Sequence, residues 1–133
     1  MLHRRFGDGD ASFQAAGGQE GIRTLVDRFY QEMDSLPEAK AVRGMHKADL
    51  VEVRDKLARF LCGWLGGPKI YQEKYGPISI PLSHQPFSIG SAERDAWLRC
   101  MQIALDAQPY QEVFKKYLMD QLAIPAERVR NRS

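Results

Sequence analysis

Apolar residues recur with the helical period along most of this chain. Ile22, Leu25, Val26, Phe29, Tyr30 and Met33 fall three and four positions apart and draw one stripe. Gly17 and Gly18 permit a sharp turn before it, "DSLP" ends it, and a short helical piece is predicted over 37–43. A second long helix is predicted from Asp49, a good N-cap residue type, to Leu65, with the stripe Leu50, Val53, Leu57, Phe60, Leu61 and Trp64. "GGP" at 66–68 stops it, since glycine suits the end of a helix and proline cannot continue one. "SAERDAWLRCMQIALDA" opens with Ser91 as cap and acidic Glu93 and Asp95 in the first turn, and it buries Trp97, Cys100, Met101, Ala104 and Leu105. A last helix, Gln111 to Leu122, is expected to bury Val113, Phe114, Tyr117, Leu118 and Leu122. No segment alternates as a strand would, so the fold class is all-α.

The connection from Gly66 to Gly90 does not suit a plain helical bundle, whose links are short. Pro68, Gly76, Pro77, Pro81 and Pro86 break it, and it reads as irregular. Its apolar side chains (Ile70, Tyr71, Tyr75, Ile78, Ile80, Leu82, Phe87, Ile89) argue for packed order beside something that the helices do not themselves fill.

A length of 133 residues suits one domain. It divides into a flexible arm over 1–11, a helical domain over 12–124 and a tail over 125–133. Lys and Arg number 19 against 17 Asp and Glu, a net charge of +2, which argues against nucleic acid and against a polybasic membrane surface. No apolar run approaches the about 20 residues of a membrane span. "MLHRRFGDGD" is followed by no hydrophobic stretch and is not a signal peptide, so a cytoplasmic location is expected. Cys62 and Cys100 sit in predicted helices and read as small buried thiols of a reducing compartment; whether they pair is not legible. With no CxxC or CxxCH, a thiolate zinc site and covalent c-type haem are disfavoured.

Three histidines, His3, His46 and His84, are too few for an all-protein zinc site. There is no GxSxG nucleophile elbow and no phosphate-cradling GxxxxGK[ST] or GxGxxG loop. His84, held between Pro81 and Pro86 in "PLSHQPF", is open to three readings: a surface residue, a general base or a metal ligand. For haem iron a single protein nitrogen suffices, because the porphyrin supplies four others.

Taken together, "FY" on the first long helix, "FLCGWLGGPKIYQEKYG", "HQPFSI" and "ERDAWLRCM" resemble the group II truncated haemoglobins in order and spacing over about residues 12–122. The resemblance implies a globin-like two-over-two α-helical sandwich around a noncovalent haem b, iron protoporphyrin IX, with the long ordered loop carrying the proximal histidine. His84 then ligates the iron. Tyr30, Trp97 and His46 are the distal groups that stabilise a bound ligand, with His46 a proton donor if it lines the pocket. Phe29, Val53, Leu57, Phe60, Phe87 and Met101 line the haem pocket, and both distal-facing positions of the second helix, Val53 and Leu57, are apolar.

This chain departs from the family before His84, where "IPLSH" replaces the arginines of an "LRxRH" pattern that pair with haem propionates. The resemblance passes that task to Lys56 and Tyr71, with Lys69 as a further donor. The implied function is binding of O2, CO, NO or peroxide at ferrous iron, served by an unidentified reductase. No residue is assigned a catalytic role. Nitric oxide dioxygenation or a peroxidase-like reaction is one alternative, and a globin-fold interaction or sensor module with weak or absent haem is another. His46, Tyr30 and Met45 are the candidates for a sixth ligand, and the family includes both monomers and homodimers.

Overall fold

The computed structural model describes residues 6–46, 49–77 and 89–130. His84 and Phe87 lie outside these residues, as does His3. Seven α-helices follow one another among the described residues: α1 (Ala11–Ala15), α2 (Gly18–Ser35), α3 (Lys40–Gly44), α4 (Val51–Trp64), α5 (Ile70–Tyr75), α6 (Ser91–Asp106) and α7 (Glu112–Arg128). A 3-10 turn, Pro37–Ala39, leads into α3, so the short helical piece expected over 37–43 has two parts.

The α2 stripe folds as its period predicts: Ile22, Leu25, Val26, Phe29, Tyr30 and Met33 are all buried. α2 packs on α4 and on α6, α6 packs on α7, and α5 lies on α4. Two helix pairs, α2–α4 and α6–α7, therefore meet through the α2–α6 contact, and no strand occurs among the described residues. This is the expected all-α globin architecture. The turn into α2 depends on Gly21, where a Cβ would come within 2.1 Å of the Ala16 carbonyl oxygen. That carbonyl accepts a hydrogen bond from the Tyr110 hydroxyl at 2.8 Å, tying the start of the chain to the link between α6 and α7.

The α4 stripe divides into two faces. Leu50, Ala58, Leu61 and Leu65 are buried, whereas Val53, Leu57, Phe60 and Trp64 rest against the core but are only partly covered.

Several element boundaries differ from the sequence expectation. α4 begins at Val51, and Asp49 caps it from two residues back, its Oδ1 accepting from the Val51 N–H at 2.9 Å. The N-cap of α6 is Gly90 rather than Ser91, and the Glu93 carboxylate reaches back to the Gly90 N–H at 2.8 Å. The connection after Gly66 is not wholly irregular, since α5 occupies Ile70–Tyr75. α7 continues past Leu122 to Arg128 through Pro125, into the segment expected as a tail. Proline there removes one backbone donor, but Ala126 is buried and Glu127 pairs with Arg94 of α6 and with Arg130. Val113 is not in the core: at 62% exposed it sits in the first turn of α7, on the side away from Phe114. Cys62 and Cys100 are both buried and both free.

Candidate ligand-binding site

Tyr30 is delivered to the interior by the α2 stripe and is 3% exposed. Its ring is one of a connected row. Phe29 meets Tyr30 edge-on at 4.9 Å between centroids, and the same Phe29 meets Trp97 of α6 at 4.9 Å. On its other side Tyr30 meets His46 at 5.8 Å and 79°. The three predicted distal residues, contributed by α2, by the turn after α3 and by α6, thereby form one row in which Phe29 links Tyr30 to Trp97.

Burial pushes the Tyr30 phenol far above its ordinary pKa, with the positive charge of Arg54 opposing. The group is neutral at every physiological pH and keeps its proton to donate. Its hydroxyl makes no hydrogen bond among the described residues, and neither does the Trp97 indole N–H. His46 directs Nδ1 at the Val42 carbonyl at 3.0 Å. Since a carbonyl only accepts, Nδ1 carries the proton in this contact.

Of the expected pocket residues, Phe29 and Met101 are fully buried, Phe29 as a member of the aromatic row. Val53, Leu57 and Phe60 lie on the half-open face of α4, where Phe60 stacks with Trp64 at 6.2 Å. No cluster of three or more His, Cys, Asp or Glu able to hold a metal ion is assembled among the described residues.

The expected propionate donors fall into two places. Lys56 bridges to Glu52 at 3.0 Å and lies over the Tyr75 ring, and Tyr75 packs on Tyr71 at 5.2 Å. Lys56 and Tyr71 thus share one corner of the α4–α5 junction. Hydrogen bonding to Glu52 holds the Lys56 ammonium above its usual range, partial burial pulling the other way. Lys69 is elsewhere: its Cα lies against Gly63, two helical turns along α4 from Lys56, about 10 Å away.

Two groups were not foreseen. Tyr75 joins the corner by the four-residue spacing from Tyr71, a signal present in "YQEKY". Its hydroxyl donates to Asp55 at 2.7 Å, and the same carboxylate accepts from Arg23 at 2.6 Å, Arg59 at 2.9 Å and Lys74 at 2.9 Å. Arg54 is the second. Four residues after Leu50 and seven before Leu61, it occupies the buried register of α4, and a charge in an apolar register was the visible signal.

The sequence profile of the bacterial-like globin family matches residues 11–131. The chain is 33% identical over 124 residues to the group 2 truncated haemoglobin of Bacillus subtilis strain 168, spanning 93% of this chain and 91% of that protein. The group II 2-on-2 haemoglobin of the plant pathogen Agrobacterium tumefaciens superposes with a TM-score of 0.87 at 36% identity, covering 92% of this chain and 95% of the other. A truncated oxygen-avid haemoglobin from Bacillus subtilis superposes with a TM-score of 0.82 at 34% identity, over 91% and 99% of the two chains. With the two helix pairs, the buried tyrosine on α2 and the tryptophan on α6 in place, the chain belongs to the bacterial-like globins, in their group II truncated haemoglobin branch.

Proposed function

We propose that this globin is a haem b protein that takes up dioxygen and other diatomic ligands at ferrous iron, His84 supplying the proximal nitrogen. Globins of this family bind ligands through haem, and the residues of this chain fit that group on two counts. A buried phenol, fixed in its protonated state, has no acceptor among the described residues. On α4, which packs on the same helix, Val53, Leu57, Phe60 and Trp64 leave an apolar face partly uncovered, of the kind a flat porphyrin seals. The Tyr30 hydroxyl is the observation that carries the reading: the ring is buried, the phenol keeps its proton, and no described residue accepts it, so the donor is available to a bound ligand.

When bound, the haem iron supplies the coordination position at which the diatomic molecule is held. Tyr30 then donates to the negative end of the ligand, and the Trp97 N–H adds a second donor that cannot itself ligate. His46, its ring edge-on to Tyr30 and its Nδ1 directed at Val42, is the third polar group beside the ligand. Phe29, Val53 and Leu57 exclude water, which strengthens both hydrogen bonds. Lys56 and Tyr71 hold the propionates in place of the missing arginines. The same donors suit NO and peroxide, so redox detoxification with an electron-supplying reductase is the physiological setting that this pocket supports.

The test is an absorption series on the ferric, ferrous, oxy and carbonyl forms of wild type and of His84→Ala. A wild-type Soret band that the His84→Ala variant loses or shifts supports the reading. A wild-type protein that stays colourless with added haemin overturns it.

A further inference from the structure

Arg54 is the charge that the α4 register does not explain. It stands on the face of α4 bearing the buried Leu50 and Leu61, yet its Nε is buried with no hydrogen-bond partner among the described residues. Its Nη1 is 3.6 Å from the Asp27 carboxylate, too far for a hydrogen bond. Around it lies a surface bowl of about 280 Å3 lined by Asp34, Arg43, Asp49, Leu50, Val51 and Arg54. The other charges of the bowl are engaged: Arg43 bonds to Asp34, and Asp49 caps the Val51 N–H. The Asp27 ion pair engages one end of the guanidinium and leaves Nε a buried donor without an acceptor, which the fold does not repay.

The bowl and the predicted distal residues share α2 and the α3 region. Tyr30 is one helical turn before Asp34 on α2, and His46 follows Arg43 by three residues, so the elements that line the bowl also carry two distal groups. Arg54 is near enough for its charge to act on the Tyr30 phenol, where it is the one charged group that opposes the effect of burial.

We propose that Arg54 is a positioning residue of the ligand pocket. From the bowl side of α4 its guanidinium sets a positive potential behind the Tyr30 hydroxyl, strengthening that hydroxyl as a donor and favouring dioxygen over carbon monoxide. A cation beside an O–H donor makes the donor more acidic, and with the Arg54 side chain 37% exposed the effect weakens as salt is added. A ligand with a negative end gains from this, whereas a nearly apolar one gains less. The inference rests on the haem reading above.

The test uses the haem-loaded protein, with Arg54→Met, Arg54→Lys, Tyr30→Phe and the Arg54→Met/Tyr30→Phe double variant. Methionine matches the apolar register, so Arg54→Met folds with a thermal midpoint at or above wild type. Its ferrous carbonyl complex shows a higher C–O stretching frequency, because a positive potential near the ligand oxygen lowers that frequency. Its dioxygen dissociation is about tenfold faster, equivalent to about 1.4 kcal/mol. Arg54→Lys restores most of both changes. In the Tyr30→Phe background the Arg54→Met shift shrinks to a small fraction. An unchanged stretch and dissociation rate in Arg54→Met, or an equal shift with and without Tyr30, overturns the proposal. A wild type that forms no carbonyl Soret band instead overturns the haem reading itself, so the two failures are distinct.

Discussion

At Tyr30 the molecule holds a hydroxyl that does nothing for the folded chain among the described residues. Replacing it by Phe breaks no hydrogen bond within them and relieves the desolvation of a polar group. The Tyr30→Phe variant is therefore expected to unfold at the wild-type denaturant midpoint or slightly above it. In the haem-loaded protein the same change speeds dioxygen release about 10- to 100-fold, since a hydrogen bond to a charged acceptor contributes about 1.5–3 kcal/mol. Flash photolysis or stopped-flow displacement measures it. Phe29 behaves in the opposite way. It is fully buried and touches both Tyr30 and Trp97, so Phe29→Ala leaves a cavity and is expected to cost about 3–5 kcal/mol in urea unfolding. One neighbour serves the fold and the other the ligand, although both stand in the same apolar stripe. That is why periodicity alone assigns Tyr30 to the core and only the pattern of motifs marks it as a donor.

The elements show where periodicity is informative and where it fails. α2, α4 and α6 each carry three or more turns of apolar spacing and were legible as helices with their interior faces. α5 has six residues between breakers, too few to show a period or to hold a helix alone. Its stability is tertiary and passes largely through Asp55, whose carboxylate binds Lys74 and Tyr75 of α5, Arg23 of α2 and Arg59 of its own helix. Partial burial pushes the Asp55 pKa up, but these four donors overcome it and hold the carboxyl well below the usual carboxylate range. A depressed folded-state pKa contributes stability above the unfolded value near 4, and that contribution fades as pH falls through the folded value. Asp55→Asn is expected to lose about 1–3 kcal/mol at pH 7. The difference from wild type then narrows toward pH 3, which paired urea titrations at the two pH values detect. Val113 and the extension of α7 past Pro125 escaped the sequence for a related reason. Which face of an amphipathic helix is covered, and whether a proline ends it, depends on partners such as Phe114 and the Arg94–Glu127 pair, far away in the chain.

Across the whole molecule the longest-range hydrogen bond between described residues ties Tyr110 to Ala16, 94 positions apart in sequence. It locks the α1–α2 elbow, where Gly21 already forces close approach, onto the link between α6 and α7. Both helix pairs of the sandwich are held in register through that corner. Burial pushes the Tyr110 phenol up to about 12. Its unfolded value is about 10, so its contribution is complete below pH 10 and is lost as pH rises from about 10 through 12. Ionising it also removes the only proton it can donate to Ala16. Tyr30 shifts in the same direction, more strongly, without a carbonyl to lose. The protein is therefore expected to show an alkaline loss of stability that both phenols set. Tyr110→Phe is expected to lower stability by about 1 kcal/mol at pH 7 and to flatten the decline between pH 10 and 12. Tyr30→Phe flattens it without the neutral-pH loss, because its hydroxyl has no bond to break. Thermal midpoints of the two variants and wild type at pH 7, 10 and 11 separate these outcomes. Equal neutral-pH losses in both would mean that Tyr30 also serves the fold, and its hydroxyl would no longer stand reserved for a ligand.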